Sequence, residues 1–190
     1  MRYVKRKRLF RTRMVYSCLA LILILTSCNP VKYSKTVPGQ PDADSYSLGK
    51  SVDFGYSNSI DTSVIYIYYG ELVFTTRSGK SEKVNTYDFL AFKSNGIVLF
   101  SRFSRVPVTN ENVQTIGGQY CYYKVIDDEL VLEMYDYSLK SFFLMYAKIY
   151  EDRIVFYKDR VRRFAGGKSK LNMRFNKSAI RYPTSLIWPL

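Results

Sequence analysis

The chain has 190 residues, with 29 Lys or Arg against 16 Asp or Glu, three cysteines and no histidine. Without imidazole there is no Ser-His-Asp triad, no Cys-His pair and no histidine-ligated zinc. Seven of the basic residues (Arg2, Lys5, Arg6, Lys7, Arg8, Arg11 and Arg13) lie before residue 28, where there is no acid, so the formal charge of +13 falls to +6 without them; the charge is no argument for nucleic acid, and no nucleic-acid partner is expected.

Behind that basic run, Met14 to Leu25 is almost wholly apolar, the order of a secretory signal. It is too short to span a bilayer, which takes about 20 apolar residues, and Pro30 stops it. The motif that follows, Leu25-Thr26-Ser27-Cys28, resembles the lipobox of bacterial lipoproteins. The resemblance implies that a dedicated peptidase cuts between Ser27 and Cys28 and that the Cys28 thiol carries a diacylglyceryl thioether. Residues 1–27 are then a signal peptide, and two or more acyl chains hold the mature protein far better than one. Asn29 stands where lipoproteins kept at the inner membrane of many Gram-negative bacteria tend to carry Asp, and no acidic cluster follows Cys28. The expected place is therefore the outer membrane, with the domain facing the periplasm.

Residues 28–61 are expected to be the lipidated cysteine and a flexible tether, because Pro30, Pro38, Gly39, Pro41, Gly49 and Gly55 punctuate a polar run. A flexible chain of that length spans roughly 30 Å. Its later part, with Tyr46, Leu48, Val52, Phe54 and Tyr56, has the alternative of docking as a first strand.

Residues 62–190 read as one all-β domain. Aromatic and β-branched residues come in short runs between turn signals, and no stretch keeps a helical period. The expected strands are Val64 to Thr75, Val84 to Lys93, Ile97 to Phe103, Gln119 to Ile126, Leu130 to Tyr137, Phe142 to Tyr150, Arg153 to Lys158 and Leu171 to Asn176. Asn95-Gly96 predicts a type I′ hairpin turn, with positive φ at both residues. Asp127-Asp128-Glu129 and Glu151-Asp152 are further short links, and Ser104 to Gly118 is the one long loop, with a helical turn at Glu111 to Ile116. Strands that pair in sequence order form an antiparallel meander, and about eight of them hide their edges by closing into a barrel. The order Phe92-Lys-Ser-Asn-Gly96, then Gly118-Gln-Tyr120, then an acidic turn before Leu130-Val-Leu132 resembles the small lipocalin-like domains of bacterial lipoproteins. That resemblance covers residues 84 to 158 and implies a calyx-shaped barrel.

No catalytic set emerges. Ser47-Leu-Gly-Lys50 matches a Ser-x-x-Lys pattern but lacks the companion motifs of penicillin-binding enzymes. Ala165-Gly-Gly-Lys-Ser169 ends like a phosphate-binding loop without its first glycine or a βαβ setting. Asp127, Asp128 and Glu129 lack calcium-loop spacing. Cys121, the one thiol left after the signal and lipidation have taken Cys18 and Cys28, reads as buried packing. The remaining alternative, a histidine-free hydrolase, would need a cleft where carboxylates such as Asp88, Glu133 or Asp136 converge. The expectation is a non-enzymatic domain without cofactor or metal. It binds a small apolar or amphipathic ligand, or an envelope protein, and its tyrosines serve either a pocket or cross-strand pairing. The segment from Lys158 to Arg181 is strongly basic, and Arg160, Arg162, Arg163, Lys168, Lys170, Arg174, Lys177 and Arg181 are the candidate contacts for anionic lipid or lipopolysaccharide, the other reading being a solvated strand face. The apolar end, Leu186 to Leu190, is expected to cap the barrel or enter an interface beside them.

Overall fold

A computed structural model describes residues 31–34, 39–49, 59–75, 79–161 and 168–183. Its eight strands are β1 (Val64–Thr75), β2 (Ser81–Phe92), β3 (Ile97–Ser104), β4 (Gln119–Ile126), β5 (Glu129–Asp136), β6 (Ser141–Ile149), β7 (Arg153–Val161) and β8 (Lys168–Arg181). Each pairs antiparallel with the next, and β8 returns to β1, so the meander is a closed barrel without a free edge. The first seven strands fall within three residues of the expected ones, while β8 runs from Lys168 to Arg181, well beyond the expected Leu171 to Asn176.

Alternation decides which side chains fill the barrel. Tyr66 on β1, Leu90 and Phe92 on β2, Val98 and Phe100 on β3, Cys121 and Tyr123 on β4, Leu130, Leu132 and Met134 on β5, Met145 and Ala147 on β6, Ile154 and Phe156 on β7 and Phe175 on β8 form one buried cluster. The residues between them on β1 to β3, Ile65, Phe89, Ala91, Ile97 and Leu99, form a second one on the outer wall. A period of two with apolar residues on both faces requires cover outside as well as a filled inside.

Two segments supply that cover. The long loop between β3 and β4 lays Val108 and Val113 on the β1–β3 wall. Its single helical turn, with Val113 N–H donating to Thr109 O (3.0 Å) and Ile116 N–H to Asn112 O (3.2 Å), falls close to where it was expected. Ser101 Oγ donates to Gly117 O at 2.8 Å, and glycine suits the next position, since a Cβ on Gly118 would stand 2.9 Å from Leu99 Cδ1 and 3.0 Å from Phe100 O and would force its neighbours to shift.

The second cover is part of the expected tether. Tyr33 and residues 39–49 lie against the outer wall of β4 to β6, with no strand among them but a single 3₁₀ turn at Ala43–Ser45 capped by Asp42. Tyr46 is 1% exposed, its ring 4.7 Å from that of Tyr122 and 4.9 Å from that of Phe142. This strap docks because one aromatic ring and a few hydrogen bonds outweigh the Pro and Gly around it. Val52, Phe54 and Tyr56 lie outside the described residues.

The turns correct one detail. Asn95 keeps a negative φ, and only Gly96 is left-handed, at +80°. Lys93 N–H donates to Ile97 O and Gly96 N–H to Lys93 O, so the link is a type I turn closed by a glycine bulge. The two-residue turn with consecutive positive φ occurs instead at Asp127 (49°) and Asp128 (60°), between the paired Ile126 and Glu129.

Candidate functional site

The lumen of the barrel is crossed by its own rings. Phe100 on β3 lies 5.9 Å from Phe175 on β8, although β1 and β2 separate those strands around the wall. Phe175 also meets Phe156 (5.6 Å) and Tyr68 (5.6 Å), and toward the β2–β3 turn Phe92 meets Tyr66 (5.7 Å) and Tyr123 (5.0 Å). Ile60 packs into the same cluster, and Tyr66 Oη accepts from Asp61 N–H at 3.0 Å. The tyrosines are spread over both faces: Tyr46, Tyr122 and Tyr135 belong to the strap contact, Tyr69 pairs with Tyr87 outside, and Tyr146 takes Lys158 Nζ over its ring at 4.3 Å.

The three carboxylates considered for an enzyme do not converge. Asp88 is buried at an inward position of β2, in register with Tyr68. Glu133 is fully buried on the opposite, outer face of its wall, accepting from Ser47 Oγ (2.9 Å to each oxygen) and Leu48 N–H (2.8 Å). Asp136 ends β5 and holds the next turn by accepting from Ser138 N–H and Leu139 N–H, both at 2.8 Å. Ser47 is thus a strap fastening, and Lys50 lies outside the described residues. Burial pushes the Cys121 thiol far up, which suits packing and opposes thiolate chemistry. Asp127 and Asp128 form an exposed turn, and Glu129 accepts from Tyr157 Oη across the wall. Lys168 and Ser169, the tail of the phosphate-loop-like run, stand in a strand with no helix start beside them. Among the described residues, no group of three or more Cys, Asp or Glu is placed to hold a metal ion.

Among the described residues, the basic C-terminal candidates on β8 are spread along the strand. From Lys168 to Arg181 β8 runs the length of the barrel, roughly 40 Å at the usual strand rise. Near its start, position 168 is in register with Arg160 and position 170 with Lys158. Arg174 is exposed further along, opposite Val155. Lys177 is in register with the inward Tyr66 and pairs with Asp61 (2.9 Å), and Arg181 lies beyond it beside Asn110. Arg162, Arg163 and Leu186 to Leu190 lie outside the described residues, as do Ser27 and Cys28.

A different charge pattern comes from the topology. In a closed meander the turns alternate between two ends. One end has the entry to β1 and the turns β2–β3, β4–β5 and β6–β7, whose charged residues are Asp61, Asp127, Asp128, Glu151 and Asp152 against Lys93. At the other end the described turn residues include Lys80, Arg105 and Lys140, with Asp136 closing β5 beneath the last; Glu111 follows Asn110, whose side chain accepts from Arg181 N–H beside the entry to β1, and so belongs to the first end. Sequence reading missed this polarity, although the sign of successive turns was there to be read once a meander was assumed.

The strap begins at the basic end. Tyr33 Oη lies 3.2 Å from Tyr135 Oη, near the end of β5, and the Tyr135 ring is 5.4 Å from that of Tyr137 in the next turn. Desolvation and the Tyr33 contact push the Tyr135 phenol up to about 12. In comparisons with known proteins, no family model, curated protein or solved structure matches the chain.

Proposed function

We propose that the chain is an envelope lipoprotein, cleaved after Ser27 and lipidated at Cys28, whose barrel is a non-enzymatic interaction module that binds a partner protein through its outer surface and not a small ligand through its lumen. The observation that carries the choice is the ring contact between Phe100 and Phe175, which joins strands that are not neighbours and fills the space a lumenal ligand would need. The membrane is the outer one, and the barrel faces the periplasm. The anchor is tested by the mass of the mature N-terminus: an acylated Cys28 is expected, lost in Cys28→Ala, and an unmodified N-terminus at another residue overturns it. For the barrel, purification from native membranes followed by lipid analysis should return no stoichiometric lipid beyond the anchor. A one-to-one lipid released only on unfolding would return the function to the lumen.

A second reading rests on the like-charged register pairs of β7 and β8, because like charges directly opposite one another are destabilising without an anionic counterpart. On this reading the wall around Lys158 and Arg160 meets lipopolysaccharide phosphates or anionic lipid. Binding to anionic vesicles should then fade as salt rises and fall in Lys158→Glu and Arg160→Glu.

A further inference from the structure

We infer that the basic end of the barrel is the face that lies on the bilayer, with the β5–β6 turn, Tyr137 to Lys140, at the depth of the lipid headgroups. The inference rests on the Cys28 anchor proposed above and adds an orientation. Three independent observations point the same way.

The first is the leash. Were the whole of residues 28–61 a free tether, either end could face the membrane. The strap removes that freedom: with Tyr33 held beside Tyr135, only five peptide steps separate Cys28 from the fixed domain, at most about 17 Å of extended chain. The acidic end is a strand away, about 25 Å along β5.

The second is charge. The turns at this end carry Lys80, Arg105 and Lys140, with Asp136 beneath the last, while the other end keeps Asp127, Asp128 and Glu151 besides the paired Asp61 and Asp152, so an anionic leaflet repels that other end the more.

The third is the tip itself. Tyr137 is 49% exposed and Leu139 54% exposed, side by side in one turn, with the exposed Lys140 next to them. An apolar residue, a tyrosine and a lysine together are the set that partitions to a headgroup layer. The turn is built to hold them there, since Asp136 fastens Ser138 and Leu139 and Lys140 takes a left-handed φ of 47°. Exposed apolar residues also occur at the acidic end, Ile126 (47%) and Tyr150, but there they border Asp127, Asp128, Glu151 and Asp152.

The test uses the full chain carrying Leu139→Cys or, as a matched site at the other end, Ile126→Cys, labelled with a polarity-sensitive fluorophore. Cys121 does not compete, being fully buried. The protein is reconstituted in vesicles of phosphatidylethanolamine and phosphatidylglycerol that contain brominated acyl chains. The label at 139 should shift to the blue and be quenched several-fold more than the label at 126. Equal quenching, quenching at 126 alone, or two aqueous labels, as an acidic protein partner at this face would leave, overturns the orientation. Mass spectrometry of the same sample reads Cys28 separately. If it is unmodified, the anchor fails by itself. The face is then judged with Cys18→Ser and Cys28→Ser added, so that the label sits at 139 alone, by whether that chain floats with the same vesicles and is quenched, and a chain that stays in solution overturns the face too.

Discussion

Glu133 shows how much one side chain contributes to the outer layer. A carboxylate shut away from water is tolerable only with donors around it, and Ser47 and Leu48 of the strap supply them. Glu133→Gln keeps the shape but weakens those bonds, so we expect a loss of about 1–3 kcal/mol in urea unfolding, with the strap becoming sensitive to protease before the barrel does. Tyr46→Ala should act in the same direction and more strongly, about 3 kcal/mol, because it removes a whole buried ring from between Tyr122 and Phe142. Asp61 adds a pH dependence. Hydrogen bonds from Ser63, and then Lys177, lower its carboxyl to about 2 from the ordinary value of 3.8. Between those values the unfolded chain binds more protons than the folded one. The contribution is therefore full above about pH 4 and is lost as pH falls through about 2. Asp61→Asn should flatten that part of the stability profile in denaturation at a series of pH values.

At the scale of the elements, the hairpin turns show where strain is stored. Asp127, Asp128 and Lys140 hold positive φ without being glycine, which is mild for the aspartates and more costly for the lysine. Lys140→Gly and Asp128→Gly should each stabilise the fold by about 0.5–1 kcal/mol, seen as a higher urea midpoint with unchanged slope. Gly96→Ala should destabilise it, since its φ of +80° lies where a Cβ is unwelcome. If membrane contact at the β5–β6 turn is what Lys140 serves, Lys140→Gly gains stability while weakening attachment to anionic vesicles.

For the whole molecule, the filled lumen is the decisive property. Phe175 touches rings from β1, β3 and β7. Phe175→Ala should cost about 3–5 kcal/mol and leave a dry apolar void. Such a void should take up xenon or benzene, seen in crystals of the variant or as a ligand-dependent rise in its melting temperature, while the parent barrel takes up neither. Uptake by the parent would mean that the rings do not fill the lumen.

The amino-acid sequence by itself determined the strands, their order and hence the barrel, because alternation and turn chemistry act over a few neighbouring residues and a meander pairs only neighbours. Val64–Thr75 and Gln119–Ile126 were legible to the residue. So was the burial of Cys121, a small apolar side chain within an aromatic strand. What only the tertiary structure decided depends on partners distant in sequence. Ser47 meets Glu133 across 86 positions and Tyr33 meets Tyr135 across 102, and no local pattern announces either. The strap therefore read first as a tether, with docking as a first strand the alternative for its later part; Tyr46 docks, but without forming a strand. The basic segment read as one face because a strand's charges sit close in sequence, whereas β8 spreads them along the barrel, one to Asp61 and others toward Lys158 and Arg160. The division of the turns into two ends follows from the meander, which puts alternate turns on opposite sides, whereas the crossing of the β3–β4 loop to the far end, where Asn110 meets Arg181, was decided by the tertiary structure.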